Sequence, residues 1–168
     1  MNNKTIEEHK LRVSKTGNVV FGKYNQIRNA EADELDSSEI ITQVWKEVDC
    51  KSCANCCKSL KIEWNSEDIT RISQHLNMSI IEFVDKYLVK STDVSMGEIW
   101  YGKTKPCSFL DLDTNLCTIY DVRPSVCAEW PNIKSKNLMR DYPHYTESIV
   151  SCPATYRWVE LMIENSKI

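Results

Sequence analysis

The chain has 168 residues, 42% of them hydrophobic, and a formal net charge of −3. That length and apolar content suit one compact domain that buries a core without covalent staples. The mildly acidic balance lacks the clustered basic face of a nucleic-acid binder, so no nucleic-acid partner is expected.

The first ten residues hold no apolar core of a secretory signal, and no later apolar run is long enough to cross a bilayer. A cytoplasmic protein without a membrane partner is the expectation. Eight cysteines then stand out, because a reducing compartment disfavours structural disulfides and steers dense thiols toward metal binding or redox chemistry. A disulfide framework is the alternative, and a chain of this size does not need one to fold.

Residues 1–36 are polar and charge-mixed, with one short apolar patch, Val19-Val20-Phe21, between Gly17 and Gly22. They read as an N-terminal extension carrying one strand, with the cysteine-cluster domain occupying 37–168. From Ser37 the pattern changes, as Ile40, Ile41, Val44, Trp45 and Val48 recur at helical spacing behind the capping residues Ser37 and Ser38. This helix delivers the chain to Cys50.

After the first cysteine block, Leu60, Ile62 and Trp64 alternate with Lys61 and Glu63, the period of a half-buried strand. A helix over Ser66–Leu76 would place Ile69, Ile72 and Leu76 on one side. Ser79 and Glu82 form a capping-box pattern that opens a second helix to about Val89, its stripe Ile80, Val84, Tyr87 and Leu88 flanked by Ile81 and Phe83.

Residues 91–105 read as loop with a short strand around Ile99-Trp100-Tyr101, and 106–131 as turns interrupted by short elements. Among these, Leu116–Tyr120 has strand character, and Pro124 suits the first position of a short helix bearing Val126 and Cys127. Pro153 is placed to open a last helix with Trp158, Val159, Met162 and Ile163 facing the core. The expected fold class is α+β, mainly α: a compact small domain with short helices around a cysteine-rich, loop-rich metal-binding centre.

Cys50-x-x-Cys53-x-x-Cys56-Cys57 puts four thiols within eight residues, and a two-residue spacer lets a tight turn aim two sulfurs at one ion or cluster. Cys107, Cys117, Cys127 and Cys152 are spread along the chain and must be gathered by folding. All eight are candidate metal ligands. Adjacent side chains diverge, so one of Cys56 and Cys57 is expected at a second site, a bridging position or in packing. Thiolates suit zinc and iron–sulfur clusters alike, and eight of them allow two four-ligand sites, one cluster with thiols to spare, or a multinuclear site.

Three ordered blocks carry a family resemblance: Cys50-x-x-Cys53-x-x-Cys56-Cys57, Pro106-Cys107-Ser108-Phe109-Leu110-Asp111, and Cys117-Thr118-Ile119-Tyr120-Asp121-Val122-Arg123-Pro124-Ser125-Val126-Cys127. Over about Asp49–Cys152 the chain resembles the YkgJ-type cysteine-cluster family of zinc- or iron-chelating domains. The resemblance implies a bound metal, zinc or iron, and its members include a flagellin lysine N-methylase. The family commonly has glycine within the first block. Here Ala54-Asn55 stand there, and Asn55 is the residue expected to tolerate a left-handed turn.

Arg123 could donate to thiolates or offset their charge, against an ordinary ion pair with Asp121 or Glu129. Asp111 and Asp113 are expected to shape the turn Asp113-Thr114-Asn115. His144 could supply a nitrogen ligand, although a solvent-facing or core role is expected for it and for His9 and His75. Trp45, Trp64, Trp130 and Trp158 read as core.

A metal-binding protein is the leading functional reading, with a protein partner or substrate compatible with it. A metal-dependent enzyme, such as a protein lysine N-methylase or a redox protein, is the second, and a thiol redox switch the third. With four glycines in the chain, neither a GxGxxG turn nor a Walker loop is present.

Overall fold

Helical periodicity accounts for most of what folds here. The computed structural model describes residues 3–31, 38–91, 99–131, 133 and 148–166. It is mainly helical with one small three-stranded sheet, as the sequence pattern predicts, and its contacts divide into two compact units: residues 1–53 with 131–168, and residues 54–130.

In the first unit α1 runs over Asn3–Glu31. The strand expected at Val19-Val20-Phe21 is part of this helix. The reason is a stripe at 3.6-residue spacing, Ile6, His9, Gly17, Val20 and Tyr24, all buried, which mixes apolar with polar and small residues and so hides from an apolar-only reading. The helices α2 (Ser38–Glu47) and α3 (Cys50–Cys53) follow. The expected cap Ser37 lies outside the described residues.

The last helix, α8 (Pro153–Asn165), has Pro153 in its first turn, where a missing N–H costs nothing. Both α1 and α2 pack on α8, whose Trp158, Val159 and Met162 are buried as expected. Polar contacts lock the three together: Thr16 Oγ1 meets the Tyr156 hydroxyl at 2.5 Å, Arg12 pairs with Glu160 at 2.7 Å, and Arg157 pairs with Glu47 at 2.7 Å. His9 is buried, with Nε2 3.0 Å from the Val150 carbonyl and its ring edge-on to Tyr156. Burial, more than any other influence, pushes its pKa below the usual histidine value. It is a core histidine, His75 is exposed, and His144 lies outside the described residues.

The second unit opens with α4 (Asn55–Ser59), then β1 (Glu63–Trp64), α5 (Ser66–His75), α6 (Ile80–Tyr87), β2 (Leu88–Lys90) and β3 (Trp100–Gly102). The sheet order is β1-β3-β2, both pairings antiparallel, with Trp64 opposite Trp100 and Val89 opposite Tyr101. Asn65 caps α5 by accepting from the Asp68 N–H, and the left-handed Asn77 follows its end. The capping box at Ser79 and Glu82 is formed.

The helix α6 ends at Tyr87, two residues before the expected Val89, because Leu88 turns extended and enters the sheet. Its buried face also differs from the expected stripe. Phe83 is fully buried, while Ile80 and Ile81 are exposed. The core of this unit is Trp64, Ile69, Ile72, Phe83, Leu88, Phe109 and Ile119, with Cys107 and Cys117 packed against it. Of the four tryptophans read as core, Trp64 and Trp158 are buried, Trp130 is half-buried and Trp45 is exposed.

Phe83 meets Trp64, Tyr87 and Phe109 with ring centroids 5.2–6.3 Å apart. Phe83→Ala is expected to cost about 3–5 kcal/mol of stability, whereas Ile81→Ala on the same helix should change it by less than about 0.5 kcal/mol. Urea denaturation of the two variants checks this, and equal losses would contradict the burial assignment.

Candidate metal centre

None of the eight cysteines is in a disulfide. Cys50 and Cys53 lie on α3 and Cys152 just before α8, all in the first unit; Cys56, Cys57, Cys107, Cys117 and Cys127 belong to the second. Each unit positions its thiols by different local means.

In the second unit Cys56 and Cys57 ride on α4. Ala54 precedes it in the left-handed conformation, φ 48 and ψ 19, so the strained position falls on Ala54 and not on Asn55. Adjacent side chains usually diverge, yet these two Sγ atoms stand 4.0 Å apart. The Cys107 N–H donates to the Cys57 carbonyl at 2.8 Å, which ties the second cysteine block to the first.

From Cys107 the chain turns back on itself. Leu110 and Cys117 form an antiparallel bridge, and the Phe109 carbonyl accepts from both the Thr118 N–H and its hydroxyl, at 2.8 and 3.1 Å. This bridge and a 3-10 turn at Tyr120–Val122 replace the strand expected over Leu116–Tyr120. The Asp111 carboxylate accepts from the Asp113 and Thr114 N–H groups, and Asn115 takes φ 63. Asp111 is therefore a turn former, as the sequence suggests.

Cys127 sits on α7 (Ser125–Glu129), with Pro124 as the residue capping the helix and not its first position. The Arg123 guanidinium donates to the Tyr120 carbonyl at 2.7 Å and lies 4.0 Å from the centre of that residue's ring. The alternative for Arg123, an ion pair with Asp121 or Glu129, is not found among the described residues. Its charge still lowers the Cys117 pKa.

One polar group escaped the sequence reading. Asp68 on α5 is buried, and its Oδ2 accepts from the Ser125 N–H at 3.0 Å and the Ser125 hydroxyl at 2.9 Å. Its Oδ1 accepts from Arg71 at 2.6 Å. A carboxylate in the first turn of a helix is an ordinary dipole partner, so nothing in the sequence marks this one as buried.

Burial and neighbouring charges set these thiols apart in acidity. Cys127 is pushed up to about 12, by burial first and then by the charges of Cys57, Cys107, Cys117 and Asp68. Cys107 is raised by burial, with Cys57 and Cys117 adding to it, and Cys117 by burial and then Cys57. Cys57 alone of the four is lowered, to about 7, chiefly by its contact with Cys56 and against its own burial. Backbone N–H groups of Phe109 and Ile119 point at the sulfurs of Cys107 and Cys117 and favour their thiolates. Cys152 is raised by burial, with Thr155 and Ala154 donating against it.

Half-buried sulfurs that receive backbone N–H bonds and repel one another as anions match the donor chemistry of zinc or iron. Among the described residues, no three His, Cys, Asp or Glu side chains are drawn tightly enough together to hold an ion as they stand.

A family model, CxxCxxCC, described as a putative zinc- or iron-chelating domain, matches residues 49–152. The chain belongs to this family. The match begins one residue before Cys50, ends on Cys152 and contains every cysteine. No solved structure matches the chain. Among the described residues no helix is long and apolar enough to cross a membrane.

Two predictions follow from this geometry. Ala54→Gly relieves a left-handed alanine and should raise stability by about 0.5–1 kcal/mol, read as a higher denaturation midpoint; an unchanged or lower midpoint would contradict the strain at Ala54. In metal-free protein, a thiol near 7 is largely thiolate at pH 8 and one near 12 is not, and the thiolate is what alkylates. Cys57 should therefore react with iodoacetamide well before Cys127 at pH 8 and slow as pH falls below 7, which peptide mapping by mass spectrometry would show.

Proposed function

We propose that the protein chelates zinc or iron, with Cys57, Cys107, Cys117 and Cys127 as the central ligands and an iron–sulfur cluster as the alternative occupant. The observation that carries this reading is that separate segments of one unit are tied together at their cysteines: the Cys107 N–H donates to the Cys57 carbonyl at 2.8 Å and Leu110 bridges Cys117, while burial and neighbouring thiols raise Cys107, Cys117 and Cys127. Such a group is costly as a set of anions and is relieved by a cation that takes the place of the protons. Ligation by Cys50, Cys53, Cys56 and Cys152 is proposed from the cysteine pattern. We infer a cytoplasmic protein from the same thiols, which a reducing compartment keeps available.

A second reading rests on the Cys56–Cys57 contact. Two sulfurs 4.0 Å apart, one of them acidic, suit a thiol pair that responds to oxidants. Metal analysis of anaerobically purified protein separates the readings. Bound metal near stoichiometric is expected: iron with labile sulfide indicates a cluster, and zinc alone a mononuclear thiolate site. Metal-free protein with all eight thiols titratable would refute the metal reading and leave the redox one.

Residues 99–131 hold three of the central cysteines in turns and very short elements, so metal bonds should contribute much of their order. Cys117→Ser is expected to lower bound metal. Chelation should deprotect the amides of residues 99–131 before those of α2 and α5. Hydrogen exchange on the holo and chelated forms measures this, and equal protection in both would mean that metal does not order the segment.

A further inference from the structure

Three of the four central thiols sit on chain tied together by backbone hydrogen bonds, Cys107 to Cys57 and Cys117 through the bridge to Leu110. Cys127 is held differently. It lies on a helix of five residues, too short to be stable by itself, so its place in the group depends on what docks that helix.

The docking is a set of polar bonds from α5. Ser125, two residues before Cys127, gives both its N–H and its hydroxyl to Asp68 Oδ2, at 3.0 and 2.9 Å. Asn65 Nδ2 donates to the same hydroxyl at 3.1 Å. Arg71 Nη2 bonds Asp68 Oδ1 at 2.6 Å and the Arg123 carbonyl at 3.0 Å, so the residues before α7 are gripped by the same pair. Asp68 is 1% exposed. A carboxylate buried to that degree is tolerated because donors satisfy both of its oxygens, and those donors define one position for α7. An amide in its place would set an NH2 group against donors on one side or the other.

We propose that Asp68 is the positioning residue for Cys127, holding the fourth thiolate in the metal site without touching the metal itself. This rests on the metal-binding reading above. Both carboxylate oxygens are committed to Ser125 and Arg71, which separates this role from that of an oxygen ligand. Loss of Asp68 then withdraws Cys127 from the site while leaving the other three thiolates in place.

The test is cobalt(II) titration of the metal-free protein under anaerobic conditions, following thiolate-to-cobalt charge-transfer absorption for wild type, Cys127→Ser, Asp68→Asn and Ser125→Ala, with circular dichroism as a check on folding. Asp68→Asn is expected to weaken cobalt binding by about 10–100-fold. At saturation its charge-transfer intensity should fall to about three quarters of wild type, as for Cys127→Ser, because one of four thiolates is lost. Ser125→Ala keeps the N–H bond and should fall between wild type and Asp68→Asn.

A folded Asp68→Asn with wild-type affinity and intensity, beside a weakened Cys127→Ser, would overturn the positioning role and leave the metal site standing. Weakened binding with full four-thiolate intensity would overturn it in favour of Asp68 as a ligand. Should Asp68→Asn fail to fold, Ser125→Ala decides: intermediate affinity supports the role, and wild-type affinity overturns it. A wild-type protein that takes up no cobalt would instead refute the metal-binding reading on which the inference stands.

Discussion

Thiols at close quarters in a half-buried site cannot all ionise unaided. Each thiolate formed among Cys57, Cys107, Cys117 and Cys127 makes the next harder to form, and burial adds to the cost. Backbone donors offset part of this at Cys107 and Cys117, and Cys56 does so at Cys57. On the proposed reading, the remaining deficit is what a cation would supply.

The scaffold does this by attaching loop-borne cysteines to an apolar core. Cys107 and Cys117 pack against the cluster built on Trp64, Ile72, Phe83 and Phe109, so the same burial that raises their pKa values also fixes where they sit. Phe109 joins the two roles: its ring stacks in that core at 6.3 Å from Phe83, its carbonyl pins Thr118, and its N–H faces the Cys107 sulfur. The short sheet contributes by ending α6 at Tyr87 and turning Leu88 inward.

Where a feature depended on local chemistry, the sequence showed it. The α2 and α5 stripes, the Ser79–Glu82 box, Pro153 at the start of α8 and the Asp111 turn are each written within a few residues. The cysteine blocks were legible enough to name the family that the model over residues 49–152 identifies. Features that depend on distant partners were not. The α1 stripe contains the buried His9, Gly17 and Tyr24, and His9 packs against Tyr156 and Val150 far along the chain. The exposure of Ile80 and Ile81 follows from which side of α6 meets Trp64 and Phe109. Likewise the grouping of Cys57 with Cys107, Cys117 and Cys127, and the burial of Asp68, arise from pairings about 50 or more residues apart, which spacing cannot encode.

On the proposed reading, the spread of pKa values also orders the chemistry of metal uptake. Cys57, near 7, is the thiol of the four that offers an anion at neutral pH, whereas Cys127, near 12, holds its proton until something displaces it. An incoming cation would therefore meet Cys57 first. Its charge would then lower the remaining pKa values in turn, since a positive neighbour favours the thiolate just as the three negative ones disfavour it. Each later ligand releases a proton as it binds, so affinity rises with pH for as long as any of the four is still protonated in the metal-free protein. Because the most strongly raised thiol carries the largest proton cost and keeps it over the widest pH range, the site's affinity is tied to the position of α7, the short helix that carries Cys127.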